Sequence, residues 1–304
     1  VVDINDEAKT ICLFSKWFFK MIKLLFFSKN TIIPKSGLLI THGDTITTLW
    51  GAVLGKITGC KVMHLESGLR SFNLLQPFPE EITRVLTFRL TDIFVCPNDW
   101  SVKNVQKYKK PIINSNFNTQ YDSVNLAINS RSWLSSNFPK KYAVVSIHRF
   151  ENIFDTKKFQ LINDIICYIS SQIYCIFVLH PATLKQLEKN NLFDTLQKKS
   201  NITLLNRLSF FSFVKLINKS QFVVTDGGSN QEELSYLGKP TLILRDVTER
   251  VEGLGKNAVL SKFDDVVIKK FLKQYKKYVQ KPIRLESSPS KMIVHWILNE
   301  YEKN

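Results

Sequence analysis

The 304-residue chain carries 42 Lys+Arg against 26 Asp+Glu, a formal charge of +16, with 44 % hydrophobic and 22 % charged residues. That balance excludes a disordered chain, and 11 Gly and 10 Pro scattered without a repeat exclude collagen-like and low-complexity classes. The length favours two domains, each able to bury its own core.

Five cysteines, an odd number with no CxxC pair, argue against a disulfide framework or a structural zinc site and make a reducing cytoplasm the default. The positive charge invites an acidic partner, but the lysines are spread along the whole chain and no nucleic-acid motif is present, so solvated helix faces account for it better.

The most hydrophobic stretch, Ile11 to Phe27, contains Lys16, Lys20 and Lys23, too many charges for a membrane span. Their spacing puts all three on one helical face, which fits a basic amphipathic helix on a membrane or, better, a domain helix packed on a sheet. No signal peptide is evident.

Beyond it the chain alternates short apolar runs with helical stretches. Leu38–Thr41 reads as a buried strand, followed by the turn His42–Thr45 and a helix over Thr47–Ile57 that Gly59 stops. Further strands are predicted at Lys61–Leu65, Thr91–Cys96, Tyr142–Ile147, Ile173–Leu179, Phe222–Thr225 and Thr241–Leu244. This rhythm predicts parallel sheets built from βαβ units, an α/β fold. Asp44, Glu66, His148, His180 and Asp226 each fall at or just past the end of a predicted strand, the edge where open α/β sheets bind ligands. A domain break is expected between Ser123 and Tyr142, giving an N-terminal domain over 1–130, a second domain over 131–285 and a C-terminal helix over 286–304 that packs back on the first. Polar strand ends on both sides of the break predict a cleft between the domains.

Three constellations carry chemistry. The run Asp226-Gly227-Gly228-Ser229-Asn230-Gln231-Glu232-Glu233 follows a strand and opens a helix to about Tyr236, so its backbone N–H groups form an anion site suited to a diphosphate. A Gly-rich turn with Asp226 as a helix cap is the structural alternative. Glu233 can reach a sugar hydroxyl or stand as a surface carboxylate.

The second constellation is acidic. Asp44, Glu66, Glu80 and Glu81 can act as general acids and bases if their surroundings push their pKa values apart. Arg70 and Arg84 would orient these carboxylates or bind phosphate, although helix-start carboxylates with i,i+3 and i,i+4 arginine partners are common. Pro77-Phe78-Pro79 reads as a rigid entry to the helix that Glu80 opens. The third is His148-Arg149, with Glu151-Asn152 beyond, able to offset charge on a leaving group or to serve the fold. No HxxxH or HxH spacing points to a metal.

Taken in order, His42-Gly43-Asp44-Thr45, His64-Leu65-Glu66-Ser67-Gly68-Leu69-Arg70, Pro77 through Arg84, His148 through Asn152, Thr225 through Glu233, Leu237-Gly238-Lys239-Pro240 and Arg245 through Arg250 form a specific set. The set resembles the bacterial non-hydrolysing UDP-N-acetylglucosamine 2-epimerases, from about Leu38 to Leu260.

The resemblance implies a GT-B-like fold of two Rossmann-type domains with the nucleotide sugar between them. It implies inversion of C2 of UDP-GlcNAc to UDP-ManNAc by elimination and re-addition of UDP, for surface polysaccharide synthesis, with neither NAD nor metal. By position, Asp44, Glu66 and Glu80 match the acid/base carboxylates and His148 the histidine that assists the departing diphosphate. Phe213 matches a uracil contact, and Gly227, Gly228 and Ser229 the diphosphate turn. Glu233 matches a ribose contact and Arg250 a ligand-contacting arginine. Arg70 and Arg84 join the substrate-binding set. A cytoplasmic homodimer is expected, with a UDP-sugar as partner, no nucleic acid and no integral membrane segment.

Departures accompany the match. The family turn usually reads Ser-Gly-Gly and here reads Gly-Gly-Ser, and Leu208 stands where a polar residue is expected. The family also opens with a strand and a Gly-Thr-Arg-Pro-Glu loop that touches the ligand. Nothing of that kind precedes Leu38, so either the chain is a fragment or truncated gene product, or the subgroup differs there. Alternatives are a hydrolysing 2-epimerase that releases ManNAc and UDP, a truncated non-catalytic nucleotide-sugar-binding protein, and a glycosyltransferase of the same fold.

Overall fold

The structure, a computed structural model, describes residues 15–16, 19–20, 22–23, 36–74, 79–131, 138–248 and 250–301. Of the predicted helix over Ile11–Phe27, Ser15, Lys16, Phe19, Lys20, Ile22 and Lys23 are helical, and the rest lies outside the described residues, as do Pro77, Phe78 and Glu249. The chain divides into two compact units, Val1–Asp122 together with Glu286–Asn304, and Ser123–Leu285.

The first unit alternates β1 (Leu38–His42), α1 (Ile46–Thr58), β2 (Lys61–Leu65), α2 (Glu80–Leu90), β3 (Ile93–Cys96), α3 (Asp99–Val105) and β4 (Ile112–Asn114). Helix α4 (Gln120–Asn129) leads out of it. The strands form a parallel sheet in the order β1-β2-β3-β4, with His42 level with Leu65 across the first pair.

Thr45 caps α1 through its side chain, and Gly59 ends the helix in the left-handed region at φ 80°. Gly55 lets α1 lie close on the sheet, since a Cβ there would sit 2.6 Å from Val62 Cγ2. One side of the sheet packs Phe88 of α2 and Val105 of α3 against Phe94 and Cys96. The other packs Met63, Ile93, Val95 and Ile113 against Ile293.

The second unit holds β5 (Ala143–Ser146), α5 (Phe150–Ile153), α6 (Thr156–Gln172), β6 (Cys175–Leu179), α7 (Pro181–Lys189), α8 (Phe193–Gln197) and β7 (Ile202–Asn206). It continues with α9 (Phe210–Lys219), β8 (Val223–Thr225), α10 (Gly228–Leu237), β9 (Thr241–Ile243), β10 (Ala258–Leu260) and α11 (Asp265–Gln274). Its parallel sheet runs β10-β9-β8-β5-β6-β7. The chain therefore builds outward from β5 to one side, then crosses to β8 on the other. That reversal makes the ends of β5 and β8 the switch point at which such sheets bind ligands. The core is continuous, with Phe159, Ile162, Ile166 and Ile169 of α6 packed with Val145, Phe177, Val224 and Phe271.

The last helix, α12 (Pro289–Trp296), supplies the Ile293 that packs on the first sheet, and the Ser290 N–H donates to Asp122 Oδ2 at 2.8 Å. Two points differ from the sequence reading. Thr91 ends α2, with its N–H on the Thr87 carbonyl, so the strand predicted from Thr91 begins at Ile93. Strands β4, β7 and β10 are additional. β4 and β10 are only three residues long and, unlike the equally short β8 and β9, are not fully buried.

Candidate functional site

In the first unit, three loops at the ends of β1, β2 and before α2 are tied into one assembly. Asp44 follows β1 and Glu66 follows β2. The neutral ring of His64 joins their loops: Nε2 lies 2.7 Å from the Gly43 carbonyl and Nδ1 lies 2.9 Å from Ser67 Oγ. The geometry fits Nε2–H donating to the carbonyl and the Ser67 hydroxyl donating to Nδ1. Burial pushes the His64 pKa down to about 4, outweighing the Gly43 bond and the Glu66 carboxylate that favour the proton. The Gly43 N–H closes the same link on the Leu65 carbonyl at 3.1 Å.

Glu66 sits at φ 59°, a left-handed conformation uncommon outside glycine. Its Oε2 lies 3.8 Å from His42 Nδ1, and a Cβ on Gly43 would meet that oxygen at 3.4 Å. The Glu66 carboxylate is thus held over the loop that carries Asp44.

Helix α2 is fastened to the same loop. Thr83 Oγ1 donates to the Asp44 carbonyl, and the Arg84 guanidinium pairs with Asp44 Oδ2. Arg84 Nη1 also donates to Glu81 Oε2 at 3.2 Å, and Arg70 Nε donates to Glu81 Oε1. The Ser71 N–H adds a third donor to Glu81 at 3.0 Å. Glu81 is fully buried. Burial pushes its pKa up, but the Arg70, Ser71 and Arg84 donors outweigh it and hold the carboxyl below its ordinary value.

Arg70 and Arg84, expected to orient carboxylates or bind phosphate, therefore have carboxylate partners in this structure. Glu80 differs from its neighbour: its Oε2 is buried with no hydrogen-bond partner. The i,i+3 pairing weighed as a structural alternative applies to Glu81, which pairs with Arg84, and Glu80 keeps an open oxygen.

In the second unit the switch point gathers His148, after β5, and the turn after β8. Asp226 is fully buried and does not cap α10, whose N-cap is Gly227. Its carboxylate instead accepts the backbone N–H of His148 at 3.0 Å and of Arg149 at 2.9 Å, and the Asn152 amide at 3.0 Å. The His148 ring faces it with Nδ1 3.5 Å from Oδ1.

His180 lies near His148, ring centroids 5.8 Å apart. Burial, then the charges of His148 and Arg207, lower its pKa. The first N–H groups of α10, at Gly228, Ser229 and Asn230, have no carbonyl one turn earlier to bond and no side chain caps them, which suits an anion.

Glu233 is 4 % exposed, so it is no surface carboxylate, and its Oε2 accepts the Asn230 amide at 3.1 Å. Arg250 places Nη1 2.5 Å from Glu232 Oε2, and Glu232 Oε1 also accepts the Tyr236 hydroxyl at 2.6 Å. Gln231 holds the same loop through the Arg250 and Glu252 carbonyls. Phe213 is half-buried on α9.

Among the described residues no group of three His, Cys, Asp or Glu is placed to hold a metal ion, and no helix is long and apolar enough to cross a membrane. Sequence reasoning gave no separate role to His64 or Asn230, and it offered Asp226 as a cap on the helix that follows instead of an acceptor for the His148 and Arg149 N–H groups. The signal for Glu81 was its i,i+3 spacing to Arg84.

The family model for UDP-N-acetylglucosamine 2-epimerase matches residues 27–289. A UDP-N-acetylglucosamine 2-epimerase homolog of Methanococcus maripaludis is 35 % identical over 232 residues, 72 % of this chain and 62 % of its own length. The UDP-N-acetylglucosamine 2-epimerase of Methanocaldococcus jannaschii is 31 % identical over 264 residues, 81 % of this chain and 70 % of its own length. The chain thus spans somewhat under to somewhat over two thirds of these relatives. A crystal structure of UDP-GlcNAc 2-epimerase from Neisseria meningitidis bound to UDP-GlcNAc superposes with a TM-score of 0.77 at 26 % identity, covering 99 % of this chain and 84 % of that one. The fold is α/β and GT-B-like, as expected, and the chain belongs to the UDP-N-acetylglucosamine 2-epimerase family.

Proposed function

We infer that the chain inverts C2 of UDP-N-acetylglucosamine to give UDP-N-acetylmannosamine by elimination and re-addition of UDP, in the service of surface polysaccharide synthesis. The observation that carries this reading is the assembly in the first unit. Asp44, Glu66 and Glu80 stand on three segments that His64, Thr83 and Arg84 fasten to one another, and Glu80 keeps a buried oxygen open.

Inversion needs a base on one face of the sugar and an acid on the other. Carboxylates from separate segments can serve both faces, whereas neighbours on one helix cannot. In this reading one carboxylate removes the C2 proton and UDP departs to leave 2-acetamidoglucal. His148 and the N–H groups that open α10 offset the charge on the departing diphosphate, and UDP then adds back as a proton reaches C2 from the opposite face. Glu233 holds the ribose, Phe213 the uracil, and Arg250 adds a ligand contact. The chain works as a cytoplasmic homodimer without cofactor, metal or nucleic acid.

The test is UDP-GlcNAc incubated with the protein in deuterium oxide and followed by NMR. Deuterium at C2 together with UDP-ManNAc is expected. Free ManNAc and UDP as the only products would mark a hydrolysing enzyme, and UDP binding without any exchange would mark a non-catalytic binder.

A further inference from the structure

The turn that opens α10 contains a polar relay, and its centre is Asn230. The Gly227 N–H donates to Thr225 Oγ1 at 3.1 Å, and that hydroxyl donates to Asn230 Oδ1 at 3.1 Å. The Asn230 amide nitrogen then donates to Glu233 Oε2 at 3.1 Å, one helical turn on. Each group in the relay has a single consistent direction, so the amide can be oriented only one way without losing a bond.

The relay also occupies space. A Cβ at position 227 would stand 2.7 Å from Asn230 Oδ1 and 2.6 Å from His148 Cε1. Glycine at 227 and asparagine at 230 therefore go together: the missing side chain makes room for the amide, and the amide reaches the carboxylate.

We propose that Asn230 is a positioning residue that fixes one oxygen of Glu233 and thereby sets how strongly this site recognises the hydroxyls of a ribose. The proposal rests on the reading of Glu233 as the ribose-binding group. Glu233 is almost wholly buried, and a carboxylate in that setting keeps a defined orientation only if its oxygens are engaged. With one oxygen held by Asn230 the carboxylate plane is set before ligand arrives, and less ordering remains to be done on binding.

The experiment compares UDP with 2′,3′-dideoxy-UDP by titration calorimetry, using the full chain and the variants E233A, N230A and N230D. The ratio of the two affinities reads recognition of the ribose hydroxyls alone, and a general loss of folding or of diphosphate binding would weaken both ligands together. The parent is expected to favour UDP by tenfold or more. E233A should abolish most of that preference. N230A should cut it about 3- to 10-fold, the scale of one ordinary hydrogen bond, because the effect reaches the ribose only through Glu233. N230D keeps the shape and the Thr225 bond but replaces the donor with a second carboxylate, so it should cut the preference at least as far.

If E233A loses the preference while N230A and N230D keep it, the role given to Asn230 is overturned and the ribose reading of Glu233 stands. If the parent shows no preference, or E233A keeps it, the ribose reading itself fails and the proposal falls with it.

Discussion

The loops around Asp44 and Glu81 and the turn around Asp226 hold negative charge in opposite ways. In the first, the carboxylates are held by side chains: Arg84 bridges Glu81 and Asp44, Arg70 and the Ser71 N–H complete Glu81, and a neutral histidine ties the loops together. At the switch point of the second unit, buried Asp226 is held mainly by backbone N–H groups and an amide, and the neighbouring turn leaves further N–H groups for a ligand. A proton-transferring site needs charges whose strength can be tuned, which mobile protons and guanidiniums provide. A diphosphate site needs fixed dipoles that do not titrate, which the peptide backbone provides.

The largest expected effect breaks the first half of this contrast. Asp44→Asn, Glu66→Gln and Glu80→Gln are nearly isosteric, so each should leave the fold intact and lower the rate of C2 proton exchange by roughly 10²–10⁴-fold, with little change in UDP affinity. If all three exchange at the parent rate, these are structural carboxylates and the contrast dissolves.

Glu81→Gln should act on stability instead. It takes the carboxylate from Arg70 and leaves Arg84 with Asp44 alone, and urea unfolding should register a loss of about 3–5 kcal/mol. A loss below about 1 kcal/mol would mean that solvent reaches this cluster and the side-chain clamp is weak.

His64 gives a pH signature. Its folded-state pKa of about 4 lies below the ordinary 6.5, so between those values the unfolded chain binds a proton that the folded one refuses. Stability is full above pH 6.5 and falls as the pH drops toward 4, by roughly 3 kcal/mol in total. Glu81, also lowered, adds a further loss as the pH falls below its ordinary range. His64→Gln should flatten the slope between pH 6.5 and 4 measured by urea titrations; an unchanged slope would assign the acid sensitivity elsewhere.

The smallest effect sharpens the second half of the contrast. Asp226→Asn keeps the shape but replaces one acceptor oxygen with a donor, facing the His148 and Arg149 N–H groups. Unfolding should show a cost of about 1–3 kcal/mol, the range for an unsatisfied buried group. A cost below about 0.5 kcal/mol would mean that these N–H groups find other acceptors and do not depend on the carboxylate.

Much of this organisation was legible in the sequence, for identifiable reasons. Strands such as Cys175–Leu179, buried on both faces, read as continuous apolar runs, and polar residues just beyond them marked the ligand edge without any coordinates. Spacing also separated Asp44, Glu66 and Glu80 onto different segments.

What stayed hidden depends on contacts far apart in sequence. Asp226 and the His148 N–H are 78 residues apart, and Arg84 and Asp44 are 40 apart. No local pattern tells that an aspartate before two glycines turns away from the helix it precedes. Glu80 and Glu81 look equivalent in the sequence. Only the packing shows that one is clamped by two arginines and the other keeps a buried oxygen unengaged.

The return of α12 to the first sheet bears on the order in which the protein is made. Unit Ser123–Leu285 is continuous in sequence, so every part of its core has been synthesised once Leu285 emerges from the ribosome. The first unit cannot reach that point so early. Until Pro289–Trp296 emerges, the face formed by Met63, Ile93, Val95 and Ile113 lacks the Ile293 side chain that packs on it in the finished fold. The half of the molecule translated first is thus the half completed last, and during that interval the loops bearing Asp44 and Glu66 rest on a sheet that lacks its Ile293 contact. A released chain ending at Leu285 should show a protease-resistant second unit beside a first unit that is still cleavable.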